Sequence, residues 1–430
     1  MRYEENWTAL ADHACRAHRL DPLKYIDLGQ QRHLSLGGDA RIRYEYFRNP
    51  SFGAGVQDPN GYLLQRYLLH GDLHLHPRLR VFAQLESSLL SGREGGARRT
   101  DRNRIDLNQA FVEWSAWRSG EDVASIRLGR QEVELGSAQF TSARDGLNDR
   151  LSFDGIRLVG QVSGWRFHAM ATEVVQTEPG SFDDPSRRDE TLSGFFLSRR
   201  QALLPAGNAV IYASRRTRPE TLYFDGDGEE ARITAGTRWW GRGRNWDYNL
   251  EAGIQRGEHG ADDIRGWYVN TDNGWNFDAR WEPRLGVRFS IGSGDRGSGD
   301  GELNTFSPLF ASTAYSGLSG LIGPSNSVNV APSLRLRPHP DLSVLIGTSV
   351  FWRQSRDDGI YNIASELLRP PGSSGAYHVG TQPTLQVTWT PTPRVTLLTT
   401  LSYFRAGQFL RETPPGENVT YVTSWWAYRF

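Results

Sequence analysis

The chain has 430 residues, of which 38% are hydrophobic, with a mean hydropathy of -0.55 and a formal net charge of +0 from 49 basic and 49 acidic residues. A soluble chain of this length would be expected to bury a large core of near-average apolar content, and the balanced charge gives no basic field for nucleic acid. No run approaches the roughly 20 apolar residues of a spanning helix, which excludes a helical membrane protein and leaves a closed sheet as the only membrane-spanning alternative.

Residues 1–30 are polar and irregular and read as a periplasmic lead-in to one region, 31–430. They contain no charged stretch followed by an apolar one, so for an exported protein a signal segment is expected to have been removed and Met1 added. Cys15 is the single cysteine, which leaves no disulfide framework and no cysteine metal cluster. Lys24 is the only lysine, and an arginine-dominated chain is suited to planar, bidentate recognition of carboxylates.

From residue 34 the sequence alternates with a period of two. Leu34, Leu36, Ala40, Ile42, Tyr44 and Tyr46 share one face, while Asp39, Arg41, Arg43 and Glu45 share the other. A second strand is expected over Arg66–His76 and a third over Leu79–Leu90, with Arg80 and Glu86 on the polar face. Comparable segments follow near 105–117, 123–135, 150–160, 164–175, 190–200, 207–216, 230–240, 244–256, 264–280, 284–295, 327–337, 341–353, 377–390, 394–405 and 419–430. The last, from Val419 to Phe430, ends on an aromatic residue and suits the strand that closes a barrel.

Short and long links alternate along the chain. Short turns are expected at His76–Arg78, Ser119–Glu121, Val162–Ser163, Leu203–Ala206, Gly241–Gly243, Trp281–Pro283, His339–Pro340 and Pro391–Pro393. Longer segments fall between them at 48–61, 92–104, 137–149, 177–189, 217–229, 257–263, 296–326, 354–376 and 406–418. All short turns therefore lie at one rim and all long loops at the other, the asymmetry of an outer-membrane β-barrel with periplasmic turns and extracellular loops. The fold class expected is all-β, an antiparallel transmembrane barrel of about eighteen strands.

Two segments carry a family resemblance: Arg127-Leu128-Gly129-Arg130-Gln131, and Ser152-Phe153-Asp154-Gly155-Ile156-Arg157-Leu158. Together they resemble the paired signature of the alginate-export family of Gram-negative outer-membrane barrels. Phe351-Trp352-Arg353-Gln354-Ser355 with Asp357-Asp358-Gly359-Ile360-Tyr361, and Ser293-Gly294-Asp295-Arg296, are similar to smaller members of that family. The resemblance implies a monomeric, arginine-lined pore that passes an anionic polyuronate outward by diffusion, with Arg127, Arg130, Gln131 and Arg157 at its constriction. The partners expected are outer-membrane lipid, an anionic saccharide or other small anion, and periplasmic export proteins, with no nucleic acid. The alginate exporter itself has a long periplasmic plug loop, which this sequence lacks. Residues 296–326, the longest extracellular loop expected, are the alternative source of a constriction.

Alternation independently places Arg41, Arg43, Arg66, Arg80, Arg127, Arg157, Arg166, Arg232, Arg238, Arg288, Arg335 and Arg353 inside, against Asp39, Glu45, Asp72, Glu86, Glu113, Asp247 and Glu251. An arginine excess favours anions, although arginine–carboxylate ladders also stiffen a wall. Arg130 shares parity with Leu128, so an inward Arg130 requires a β-bulge at Gly129, with another at Gly155.

His70, Asp72, His74 and His76 share one strand face at a spacing that metals use, but a wet inner wall also accounts for them. Asp225, Asp227, Asp295 and Asp300 sit in glycine-rich loops and are calcium candidates that match no complete loop pattern. Trp239, Trp246, Trp267, Trp389, Trp426 and Tyr428 fall near strand ends and read as an interfacial girdle. No Gly-x-Ser-x-Gly or phosphate-loop pattern occurs, and no cofactor is expected. Two other classes stay open: a secreted polysaccharide-active enzyme using carboxylates such as Glu132 and Glu134, and a structural or adhesive barrel without transport.

Overall fold

A computed structural model of the chain describes residues 1–134, 136–137, 142–200, 207–312 and 317–430. Eighteen antiparallel strands form a closed barrel. In chain order they are β1 Arg32–Arg48, β2 Tyr62–His76, β3 Leu79–Ser91, β4 Asn103–Ser119, β5 Asp122–Gln131, β6 Phe153–Val162, β7 Trp165–Val175, β8 Ser186–Arg200 and β9 Gly207–Tyr223. They continue as β10 Gly226–Arg242, β11 Trp246–His259, β12 Trp267–Asn276, β13 Arg284–Gly292, β14 Ser327–His339, β15 Leu342–Arg353, β16 His378–Thr392, β17 Val395–Ala406 and β18 Val419–Arg429. Each pairs with its neighbour in sequence, and β18 closes on β1 with Asp39 opposite Arg429 and Arg48 opposite Thr420. Phe430 and Gly38 exchange both backbone hydrogen bonds at the seam, each 3.1 Å. Closure removes the sheet edges, so every barrel strand has two partners.

The two faces separate by chemistry. Ile42, Leu69, Leu128, Leu158, Ile211, Ile254, Leu285, Ile346 and Leu401 project outward and are exposed. Their in-register neighbours Arg41, Arg43, Arg127 and Arg157 are buried on the inside. A continuous apolar band around the outside is what lipid requires and water does not favour. Trp114, Trp117, Trp165, Trp239, Trp246, Trp275, Trp389, Trp426 and Tyr428 are exposed and lie at the short-turn ends of their strands. They make an aromatic girdle at that rim, whereas Trp267 begins β12 at the opposite rim.

Two sequence expectations about loops change. The segment 217–229 is not a loop: β9 and β10 continue as a ladder to Tyr223 and Gly226, with a register shift between Arg218 and Thr221. Its inner face is tied by Glu230, which accepts from Arg218 (2.7 Å), Arg232 (2.8 Å) and Tyr223 (2.8 Å). Residues read as polar loop are thus a charge-paired strand extension. Likewise, β11 runs to His259 and the chain turns back to pair Asp262–Ile264 against it. The short turn expected at Leu203–Ala206 lies outside the described residues.

Residues 1–30, expected as a periplasmic lead-in, run into the barrel instead. Tyr3 is 5% exposed and its ring meets the inward rings of Phe82 and Phe111, with centroids 6.1 and 5.6 Å away. Arg2 pairs with Asp39 of β1 at 3.2 Å. Short 3₁₀ turns at Arg2–Glu4, Thr8–Ala11 and His13–Cys15 carry the segment down to helix α1, Asp21–Lys24. A strand of four residues, Ile26–Gly29, then folds back onto the start of β1. The segment lacked a period because 3₁₀ turns this short impose none, and Tyr3 finds its aromatic partners only on the barrel wall.

Candidate functional site

The lumen is narrowed from both ends by the chain itself. From the extracellular rim, the link between β5 and β6 turns inward, and its backbone carbonyls are captured by wall arginines. Arg41 donates to the carbonyl of Asp145 (2.7 Å) and to that of Leu147, and Arg43 donates to the carbonyl of Gly146. Arg66 pairs with the Asp145 carboxylate at 2.7 Å. Burial alone would raise the pKa of Asp145, but Arg66, Arg150 and Arg41 outweigh it and hold this carboxyl well below the usual carboxylate range. Arg238 donates to the carbonyl of Gly136 in the same link, 2.5 Å, and its guanidinium lies 4.4 Å from the Trp240 ring.

A second inward segment comes from 296–326, as expected. Arg232 donates to the carbonyl of Thr305 (3.1 Å), Gln255 to that of Ser307 (2.7 Å), and Arg216 to that of Leu309. Leu309 and Phe310 pack with Val133, Leu151 and Phe153, so the two inward loops meet over a small apolar cluster. From the other end, the N-terminal segment fills the wall between β1 and β6. Tyr3 donates from its hydroxyl to the carbonyl of Glu132 (3.2 Å), Arg80 donates to the carbonyl of Tyr3, and the Arg127 guanidinium sits 4.1 Å from the Tyr3 ring.

The expected pore-lining residues therefore divide by role. Arg41, Arg43, Arg66 and Arg238 anchor the inward loop. Arg80 also pairs with Asp72 (2.6 Å), and Arg127 with Glu113 (2.5 Å). Arg157 donates to the carbonyl of Glu132 at 3.3 Å and contacts His168 at 3.2 Å. Arg166 is exposed at the short-turn rim and donates to Gln161 at 3.1 Å. Arg288 and Arg335 face an open cavity of about 420 Å³. This cavity shares Asp272, Arg284 and Arg335 with a vestibule of about 740 Å³ at the short-turn end, which Arg242, Arg244 and Arg337 also line.

Three assignments are corrected. Arg130 is not in the lumen: the register from β4 through β6 is continuous at Gly129 and Gly155, with Ala110 opposite Arg130 and Arg130 opposite Asp154. No extra residue is inserted, so Arg130 keeps the parity of Leu128. It lies on the outer face at the extracellular rim, with Asp154 at 2.9 Å and Asp106 at 3.6 Å. The two glycines face each other across the ladder with φ of 127° and 153°. A Cβ on Gly129 would stand 2.2 Å from the carbonyl oxygen of Ala110, and one on Gly155 would stand 2.3 Å from that of Ala171. The motif thus specifies close backbone approach rather than a bulge.

Gln131 is fully buried and donates to the carbonyls of Gly129 (3.2 Å) and Gly155 (3.4 Å), which removes it from the pore surface. Arg353 is 1% exposed and donates to the carbonyls of Ala376, Ser374, Arg356 and Asp358. It anchors the loop after β15 and does not line a passage.

The acidic loop candidates do not converge. Asp225 accepts from the amide of Gly299, Asp295 from those of Asn304 and Gly297, and Asp300 from that of Glu302. Among the described residues, these carboxylates form no group of three with close ligand atoms. In the histidine constellation Asp72 is taken by Arg80, while His74 stacks on His33 with centroids 4.2 Å apart.

The sequence reading missed the extracellular vestibule. A cavity of about 810 Å³ opens between the loops, lined by Arg98, Arg99, Arg144, Arg187, Arg216 and Arg218 against Glu190, Glu220 and Glu366. Arg216 and Arg187 pair with Glu190, and Arg218 with Glu230. Among the described residues, Arg98, Arg99 and Arg144 have no carboxylate partner within ion-pair distance. Arg144 packs 5.7 Å from the Phe310 ring. Strand parity with Tyr212 and Ser214 would have placed Arg216 and Arg218 inside. Arg98, Arg99 and Arg144 belong to loops and carry no such signal.

Solved structures share this architecture. Acinetobacter baumannii OccAB1 superposes with a TM-score of 0.60 at 11% identity, covering 92% of this chain and 96% of that one. Pseudomonas aeruginosa OccD3 (OpdP) gives 0.60 at 12% identity over 95% and 93%. Pseudomonas aeruginosa OccK2 (OpdF), in complex with glucuronate, gives 0.59 at 11% over 92% and 96%. At these identities the likeness is one of fold. No curated protein sequence matches. The profile described as alginate export matches residues 32–423, nearly the whole barrel, and the chain belongs to that family.

Proposed function

We propose that the chain is a monomeric, passive channel in the outer membrane of a Gram-negative bacterium, selective for anions, with an acidic saccharide of the polyuronate type, such as alginate, as cargo. The observation that carries this reading is the extracellular vestibule: six arginines against three glutamates, three of the arginines without an ion-pair partner among the described residues. A cavity whose lining carries an excess of one sign of charge within low-dielectric walls concentrates the opposite ion. Guanidinium groups match carboxylates in two-point geometry, and a polyuronate presents one carboxylate per sugar. Membership of the alginate export family and the glucuronate held by the similarly folded OccK2 support the same chemistry. The inward loop and the N-terminal segment narrow the lumen from its two ends. Passage requires at least one of them to move, and the capture of loop carbonyls by wall arginines gives a displaced loop waiting donors that an anion can use instead.

The test is current block. In planar bilayers, oligouronates added on the loop side are expected to interrupt the ionic current in a concentration-dependent way, while neutral oligosaccharides of equal length leave it unchanged. Equal block by both would refute the acidic-saccharide assignment.

A further inference from the structure

At the extracellular rim, the ends of β3 and β4 meet two loops around a small void. Glu86 of β3 stands opposite Asp106 of β4 in the register. Asp149 comes from the link after β5 and Asp184 from the link after β7. With Asn103, these residues line a pocket of about 10 Å³, room for a single sphere the size of a water or a metal ion.

Among the described residues, two oxygens in this lining have no hydrogen-bond partner, Oε2 of Glu86 and Oδ1 of Asn103. Both residues are 2% exposed. The remaining polar atoms of the two side chains are used. Glu86 Oε1 accepts from the Arg150 amide and the Ser88 hydroxyl, each 3.2 Å, and Asn103 Nδ2 donates to Asp184 at 2.8 Å. What is left over on each is an acceptor on a side chain that lines the void.

On the outer side of the same place, one carboxylate oxygen each of Asp106, Asp183 and Asp184 lies within 4.8 Å of the other two. The nearby guanidiniums are engaged elsewhere. Arg150 holds Glu132 at 2.5 Å and also pairs with Asp145, while Arg130 holds Asp154 at 2.9 Å and reaches Asp106 only at 3.6 Å. Among the described residues, Arg130 at 3.6 Å from Asp106 is the one guanidinium within ion-pair distance of these four carboxylates, so they line the void with little compensating charge, and a buried carboxyl is stable when paired, metal-bound or protonated.

We propose that this pocket binds a divalent cation of the calcium class, held by Glu86, Asn103, Asp106, Asp149 and Asp184. The donor set is all oxygen, carboxylate and amide, with no nitrogen or sulfur ligand, which suits a hard cation. Supplied from two strands and two loops, the ligands have the adaptability that calcium tolerates better than magnesium. The cation ties the links after β5 and β7 to the wall. Asp149 lies in the same link as Asp145, which Arg66 grips in the lumen, so occupancy of the rim pocket steadies the inward loop. The site is independent of which saccharide the channel carries.

The test titrates calcium chloride into the full-length barrel, folded in detergent, by calorimetry, with displacement of terbium luminescence as a second readout on the unaltered protein. One calcium per chain is expected, with a dissociation constant of about 10⁻⁴ to 10⁻³ M, as in extracellular modules. Asp149→Asn and Asn103→Ala are each expected to weaken binding about tenfold or more, and Glu121→Gln, exposed at the short-turn rim, to leave it unchanged. Heat-modifiable electrophoretic mobility shows that each variant is a folded barrel. Absence of saturable binding in the unaltered protein, or binding that Asp149→Asn and Asn103→Ala leave intact, would overturn the proposal.

Discussion

Replacing Tyr3 by alanine is expected to unseat the N-terminal segment from the lumen. The Tyr3 ring is enclosed by Phe82, Phe111 and the Arg127 guanidinium, and its hydroxyl reaches the carbonyl of Glu132. An aromatic side chain buries about 150 Å² or more. At about 25 cal/mol per Å² this is roughly 4 kcal/mol, of which an alanine methyl retains about 1. The guanidinium contact contributes about 0.5–1 kcal/mol at a wet site, and Arg127 keeps part of it through Phe111, 4.3 Å from its guanidinium. A net loss of about 3 kcal/mol corresponds to roughly a hundredfold shift from docked to released segment. Single-channel recording in planar bilayers reads this directly. Long closed dwell times in the parent should give way to frequent full-conductance openings in Tyr3→Ala, with Tyr3→Phe close to the parent. If Tyr3→Ala and the parent show the same conductance and dwell times, the segment is not what closes this path and the reasoning fails.

Gly129→Ala places a methyl 2.2 Å from the carbonyl oxygen of Ala110 at a φ of 127°. It should lower barrel stability by about 1–3 kcal/mol or more, read as a shifted urea midpoint for folding into detergent; an unchanged midpoint would contradict the close approach. Lys24 supplies a pH test. Burial pushes its amine down to about 8, with Glu5 opposing and Arg2, Arg394 and Arg429 adding to the fall. Released into water, the amine would titrate near 10.4. The docked state then binds fewer protons between these values, and docking strengthens as pH rises from about 8 to 10, by at most tenfold per unit. Closed-state occupancy should climb over that window in the parent and stay flat in Lys24→Met.

The strands were legible because lipid outside and water inside impose opposite demands at period two. Leu128 beside Arg127, or Ile42 between Arg41 and Arg43, fixes the face of a whole strand once one residue is placed. Short turns such as Pro340-Asp341 and Pro393-Arg394 set the rim. The interior was not legible, since the partners that matter there are backbone carbonyls. Nothing in the residue types at 145–147 announces that Arg41 and Arg43 will seize their peptide oxygens. The N-terminal segment hid for a related reason: Tyr3 is one aromatic in a polar stretch, and its fit to Phe82 and Phe111 exists only after β3 and β4 have folded. Gly129 and Gly155 were recognised as a pair without their purpose. A positive φ at each achieves the close contact that an inserted residue would have spoiled, and Arg130 therefore stays outside.

The proposed preference for anions is measured most directly by the reversal potential across a potassium chloride gradient. The account predicts a potential of the sign set by chloride, moving toward the non-selective value when Arg98, Arg99 and Arg144 are replaced together by glutamine. A potential of the sign set by potassium in the unaltered protein would contradict it.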